Sequence, residues 1–184
     1  MEFQLQSILE HAYELEGAQF RGFSTILAAG TNATVLHYGA NDQPINDSGL
    51  VLIDTGAAWK HYTADITRTF PVNGTFSERE RELYELVLRA SDAAIARVRV
   101  GADHENDIQM TAQNIIDEAG YGEYFIHGIG HFVGLDVHDV GDYRRPLKEG
   151  VVLTVEPGIY IPEEGIGIRI EDVVLVTRDG PVVL

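Results

Sequence analysis

The chain has 184 residues, with 29 Asp and Glu against 13 Lys and Arg and a formal net charge of −16. That balance argues against a nucleic-acid partner, whose affinity would come largely from cations neutralising phosphates. The absence of cysteine excludes disulfides and thiolate metal sites. No segment reads as a bilayer span and no basic-then-apolar leader marks export, so the expected setting is the cytoplasm, without a membrane partner.

In chain order, the first predicted element is a helix over 4–16, where Leu5, Ile8, Leu9, Ala12 and Tyr13 recur at helical spacing. Four strand-like pieces follow, "FSTILA", "ATVLHY", "GLVLID" and "DITRTF". Ser77 and Glu80 form a capping box that opens a helix to about Val98, with Leu83, Val87, Ala90 and Ala94 on one face. Gly101 ends that run, and Asp103 caps a further helix ending near Gly120. The remainder reads as strands and turns, closing on "GIGIRIEDVVLVT". Short strands mixed with amphipathic helices predict an α+β fold, and the length fits one domain.

A faint repeat runs through this order. His37 in "VLHY" matches His138 in "DVHD" at an offset of 101, and Asp54 in "LIDTG" matches Glu156 in "TVEPG" at an offset of 102. Each half then reads as helix, strand with histidine, strand ending in a carboxylate, turn, and a further strand carrying a carboxylate. Asp54 and Asp65 lie eleven residues apart around a hairpin, and Glu156 and Glu171 fifteen apart. The period of two along the last strand puts Ile168 and Ile170 on one face, Arg169 and Glu171 on the other.

One carboxylate at a strand end is usually solvated. Four at matching places are harder to explain that way, because clustered anions inside a protein must protonate or find cations. Four carboxylates balance about two divalent ions. Oxygen donors with one imidazole suit Mn²⁺, Mg²⁺, Co²⁺ or Zn²⁺. The stretch "FIHGIGHFVGLDVHDVG" at 125–141 supplies three histidines among glycines. One of them can complete a metal shell, and the others can bond a substrate or move protons. His127 and His131 have helical spacing, but Gly128 and Gly130 between them argue against a helix. His11, His61 and His104 read as surface or packing residues. Arg68 alternates with Asp65 and Thr67 and so reads as half of a structural ion pair. Trp59 and Tyr62 line either the hairpin or a pocket.

The stretches "VLHY", "LIDTGAAWKHYTADITRTFPVNGTF", "HGIGHFVGLDVHDVG", "VLTVEPGIY" and "GIGIRIEDVVLVT" resemble the catalytic domain of the aminopeptidase P and prolidase family, the pita-bread metallopeptidases. The resemblance covers nearly the whole chain, and "DITRTFPVNG" and "GLDVHDVG" lie closer to aminopeptidase P than to methionine aminopeptidase. It implies a pita-bread fold, with two pseudo-twofold-related halves and a curved, mainly antiparallel sheet covered by helices. It implies two divalent metal ions, Mn²⁺ first, with Co²⁺ or Zn²⁺ as alternatives. The ligands would be Asp54, Asp65, His131, Glu156 and Glu171, with Asp65 and Glu171 bridging. His37, His127, His138 and Arg169 fall where the family keeps residues that contact substrate or support the ligands, and Glu156 doubles as the proton carrier.

The implied reaction is hydrolysis of the bond between an N-terminal residue and proline in a peptide substrate. An Xaa-Pro dipeptidase, a non-catalytic peptide-binding module and a shortened chain with little turnover are the rival readings. The resemblance also implies that residues 1–184 form a single catalytic domain without the N-terminal domain usual in such enzymes. By the repeat offset, the first half would lack one outer helix, and a second copy of the chain or a rearranged N-terminal segment would cover the gap.

Overall fold

The apolar runs pair antiparallel throughout. In the computed structural model, which describes residues 1–184, the first half runs α1 (Glu2–Leu15), β1 (Phe20–Arg21), β2 (Ile26–Ala29), a 3₁₀ turn (Gly30–Thr34), β3 (Leu50–Thr55), β4 (Ala57–Trp59), β5 (Tyr62–Thr63) and β6 (Ile66–Pro71). The second half runs α2 (Glu78–Ile95), a π-helical turn (His104–Gln109), α3 (Met110–Glu118), a 3₁₀ turn (Gly122–Tyr124), β7 (Val152–Val155), β8 (Gly158–Ile161), β9 (Ile166–Arg169), β10 (Asp172–Thr177) and β11 (Gly180–Val183). Ser77 and Glu80 close the expected capping box on α2, and the Asp103 carboxylate accepts from the Asn106 N–H at 2.8 Å at the start of the π turn.

Two three-stranded units, β2-β3-β6 and β7-β10-β11, meet at an antiparallel bridge between Thr67 and Glu171. A second bridge, Phe132 to Leu153, lays the histidine-rich segment along β7. The strand order is thus β2-β3-β6 on one side of the junction and β10-β7-Phe132 on the other, which is the repeat expressed in space. β3 answers to β7, and β6 to β10. The hairpins β4–β5 and β8–β9 project from these units. The main core gathers around α2, α3 and the second-half strands, with Leu83, Val87, Ile108, Ile116, Leu153 and Ile168 fully buried. A smaller cluster of Ile26, Ala28, Ala33, Leu52 and Tyr160 serves the first half.

Three expectations need correction. "ATVLHY" is not a strand. Residues 30–34 form the 3₁₀ turn, and the Tyr38 N–H turns back to the Val35 carbonyl at 3.2 Å rather than to a neighbouring strand; His138 likewise lies outside any strand. "GIGIRIEDVVLVT" is two strands. β9 pairs with β8, the chain changes partner at Ile170, and β10 pairs with β7 and β11. The apolar face expected of the first helix is only partly covered: Leu5, Leu9 and Tyr13 are half-buried, Ala12 is exposed, and Ile8 is 67% exposed. The first half carries the single helix α1 where the second carries α2 and α3, as the repeat offset requires. No helix is long and apolar enough to cross a membrane.

Candidate active site

The acids of the site sit at or close to strand ends. Asp54 lies near the end of β3, and Asp65 immediately precedes β6. Glu156 follows β7, and Glu171 occupies the break between β9 and β10, opposite Thr67. The segment carrying His131 runs beside β7. The His131 carbonyl accepts from the Thr154 N–H, and the Ile129 carbonyl from the Glu156 N–H, both at 2.8 Å. Gly130 makes this approach feasible: a Cβ there would lie 2.1 Å from the Thr154 carbonyl oxygen. That contact, rather than a helix, accounts for the glycine between the histidines.

All nine residues singled out in the sequence line one cavity of about 550 Å³: His37, Asp54, Asp65, His127, His131, His138, Glu156, Arg169 and Glu171. Phe23, Ile26, Leu36 and Val137 add apolar wall. Asp65, His131 and Glu171 present ligand atoms within 4.8 Å of one another. His131 Nε2 faces Asp65 Oδ2 at 3.5 Å and Glu156 Oε1 at 3.4 Å. Its Nδ1 donates to the Phe132 carbonyl at 3.2 Å, leaving Nε2 toward two carboxylates, where a proton or a cation is required. Asp54 stands slightly apart from this group, with Oδ2 accepting from Arg169 Nη2 at 2.5 Å.

Burial raises the carboxyl groups. Asp54 is pushed up to about 6 by desolvation, with Asp65 adding and Arg169 opposing. Glu156 is pushed up to about 7, burial again outweighing the attraction of His131 and Arg169. Glu171 is raised well above its ordinary range by burial, then by Glu156, Asp65 and Asp54. Burial pulls the His131 imidazole down, but Asp65 and Glu156 prevail and hold it above its usual value. Oδ1 of Asp54 and of Asp65 are buried without any hydrogen-bond partner. Orphaned carboxylate oxygens around one imidazole are a costly arrangement in the absence of cations and a suitable donor set for a divalent pair. The residues present therefore fit the metal site that the sequence implies.

A polar chain supports this cluster. Arg169, itself buried, donates Nη1 to the Tyr160 hydroxyl at 2.9 Å and Nε to Thr67 Oγ1 at 3.2 Å, besides holding Asp54. The Tyr160 hydroxyl in turn meets His127 Nε2 at 2.8 Å, while His127 Nδ1 donates to the Gly128 carbonyl at 2.8 Å. His127 is pulled down to about 4, chiefly by burial and then by Arg169 and His37, and so stays neutral. His138 stacks on His131 with ring centroids 3.8 Å apart. His37 is exposed and lines the cavity.

Sequence reasoning missed several supports. Tyr160 reads as one more apolar strand residue in "GIYI". The Thr67 hydroxyl donates to Glu171 Oε2 at 2.6 Å, and the Thr154 hydroxyl accepts from the His131 N–H and donates to Glu156 Oε1. The one available signal was threonine two positions from an inward acid. Arg68 is structural as expected, pairing with Asp172 at 2.5 Å. Trp59 and Tyr62 are exposed on the β4–β5 hairpin and do not line the cavity. His11 and His61 are exposed, and His104 is buried edge-on against Tyr143.

Residues 1–178 match metallopeptidase family M24. The chain belongs to that family. Among M24-like relatives, it is 43% identical to an Xaa-Pro aminopeptidase of Haemophilus influenzae, covering 100% of this chain and 49% of the relative. It is also 43% identical to an Xaa-Pro dipeptidase of Pyrococcus furiosus, covering 97% and 52%. The chain thus spans about half the length of the curated relatives it matches. Among solved structures, it superposes on the prolidase from Pyrococcus furiosus with a TM-score of 0.93 at 42% identity, covering 99% of this chain and 54% of that one. The aminopeptidase PepP of Pseudomonas aeruginosa gives a TM-score of 0.93 at 40% identity, covering 99% and 48%. These likenesses bear out the α+β pita-bread fold expected of an M24 chain.

Proposed function

We propose that this M24 chain is a metal-dependent Xaa-Pro aminopeptidase, removing an N-terminal residue that precedes proline. The observation that carries this reading is the pair of orphaned buried oxygens, Asp54 Oδ1 and Asp65 Oδ1, beside His131, Glu156 and Glu171. Those five side chains would hold two divalent ions, Mn²⁺ being the first choice. When bound, the ions would lower the pKa of a water enough to supply hydroxide at neutral pH and would polarise the scissile carbonyl. Arg169 holds Asp54 through Oδ2, which leaves the unpartnered Oδ1 as the oxygen for an ion. His138, stacked on His131, donates a hydrogen bond to the oxygen that gains charge at the carbonyl. Glu156 takes a proton from the attacking water and returns it to the leaving proline nitrogen. That nitrogen carries no N–H before cleavage, so recognition of proline falls to ring shape. His37, the neutral His127 and the apolar wall at Leu36 and Val137 line the cavity and would bound the space for it.

A dipeptidase reading has a specific support, the equal identity to the Pyrococcus furiosus Xaa-Pro dipeptidase. A non-catalytic module is disfavoured because no position of the five-residue set is lost. The test is hydrolysis of an Xaa-Pro dipeptide and an Xaa-Pro-Xaa tripeptide by metal-stripped protein reloaded with Mn²⁺, Co²⁺ or Zn²⁺. Cleavage of the tripeptide after the first residue is expected. Cleavage of the dipeptide alone selects the dipeptidase, and no cleavage with any metal rejects both.

A further inference from the structure

Glu2 is fully buried, in the first turn of a helix whose other residues are exposed or half-buried, and the proposed chemistry does not use it. Its Oε1 accepts from the Ala29 N–H at 2.9 Å and from Asn32 Nδ2 at 3.0 Å; its Oε2 accepts from the Tyr38 hydroxyl and the Gln43 N–H, both at 2.9 Å. All four donors are neutral. A buried carboxylate is costly unless fully hydrogen-bonded, so this one is spent on tying the end of β2, the 3₁₀ turn and residues 38–43 together.

β2 and the turn are also held by β3 and the smaller core, but residues 38–43 have no ladder of their own. The stretch from Val35 to Gly49 contains no strand. Asn41, in the left-handed region at φ 48°, stands in for a strand neighbour. Its Oδ1 accepts from the Leu27 N–H at 3.0 Å, and its Nδ2 donates to the Thr25 carbonyl at 2.7 Å and to Gln6 Oε1 at 2.8 Å. Between the Glu2 and Asn41 anchors lie Leu36, His37 and Gly39, which line the cavity. No hydrogen bond was found to the His37 ring itself, so its place follows that of the backbone beside Tyr38. Burial and Glu2 push the Tyr38 hydroxyl up to about 12, which keeps it a donor.

We propose that Glu2 is a positioning residue, which sets His37 and the 36–39 wall and thereby governs substrate binding rather than the carboxylate cluster. This rests on the peptidase reading of the cavity. Glu2→Gln replaces one acceptor oxygen by an amide that faces a donor. It is expected to raise KM for an Xaa-Pro peptide by about 5–30-fold, the equivalent of about 1–2 kcal/mol, with kcat changed by no more than about 3-fold. Mn²⁺ stoichiometry should be unchanged. In a His37→Ala background the KM effect of Glu2→Gln should shrink to within about 2-fold, because both changes act through one wall. Tyr38→Phe removes a single bond and should move KM in the same direction by less, which keeps the test open where Glu2→Gln folds poorly.

A second measurement does not need activity. In ¹³C-histidine-labelled metal-free protein, Glu2→Gln or Tyr38→Phe should shift the His37 ring signal and leave those of His131 and His138 in place. A fall in kcat with loss of Mn²⁺, additive effects in the His37→Ala background, or an unmoved His37 signal overturns the proposal. If the parent protein cleaves no peptide, the peptidase reading fails by itself and the ring signal alone decides the positioning of His37.

Discussion

His138 touches His131 by stacking alone, with no hydrogen bond found to any of the four carboxylates. His138→Ala should therefore leave Mn²⁺ content intact while lowering kcat on an Xaa-Pro peptide by about 10²–10³, the usual worth of an oxyanion donor. An unchanged kcat would remove it from the reaction. Asp65 and Glu171 stand differently, being within 4.8 Å of His131 and of each other. Replacing either by Ala should cost both ions, visible by titration calorimetry as loss of both binding events; retention of two ions at full occupancy contradicts bridging. At this scale the acids were legible because charge at the end of an apolar strand stands out. Glu2 and Tyr160 were not. One looks like a solvated residue in a helix's first turn and the other like ordinary core, and only their partners reveal what they hold.

The glycine-rich segment and β7 act as one element, joined by backbone hydrogen bonds at Thr154 and Glu156. Gly130→Ala would set a methyl 2.1 Å from the Thr154 carbonyl. Overpacking against backbone costs about 1–3 kcal/mol or more, and here it would also displace His131. Expected outcomes are a lower Tm and weaker Mn²⁺ binding together, read by calorimetry in chelator and in Mn²⁺; a Tm and an affinity equal to the parent's would show that the strand spacing yields freely. Helix α2 was legible to within a few residues because its cap and its apolar stripe agree. "ATVLHY" was not, because alternation of apolar and polar residues describes an extended chain with one face inward whether or not a strand lies beside it. Leu36 and Tyr38 do pack inward, but no ladder forms.

For the whole molecule, the raised carboxyl groups set a pH dependence whose sign can be worked out. Asp54 at about 6, Glu156 at about 7 and Glu171 higher than its ordinary range all exceed the unfolded values of about 4. Metal-free folded protein then holds more protons than unfolded protein between about pH 4 and 7. Their stabilising contribution is complete below about pH 4 and is lost as pH rises through about 6–7. The raised His131 acts in the same direction. Three histidines lowered chiefly by burial, His127 to about 4 and with it His104 and His138, contribute oppositely, favouring the fold above their unfolded value and losing that as pH falls, but they are three against four, and among the four Glu171 is raised well above its ordinary range. In chelator, Tm should therefore be lower at pH 7.5 than at pH 5.5. Saturating Mn²⁺ should abolish or reverse the difference, since cations replace the protons, and at 100 times Kd would add about 2.7 kcal/mol per site. A Tm that climbs with pH in chelator would contradict the clustered-acid account.

By itself, the sequence determined the paired acids and histidines, the amphipathic helices and the order of the two halves, because spacing and burial pattern are local properties of a chain. Tertiary structure alone decided how those halves meet. The Thr67–Glu171 bridge brings together acids more than a hundred residues apart in sequence, and the change of partner at Ile170 turns Glu171 to face them. Which side chains support the acids and Arg169, namely Thr67, Thr154 and Tyr160, was decided there too. A hydrogen bond across the fold has no periodicity along the chain, and it exists only once the backbone has closed around it.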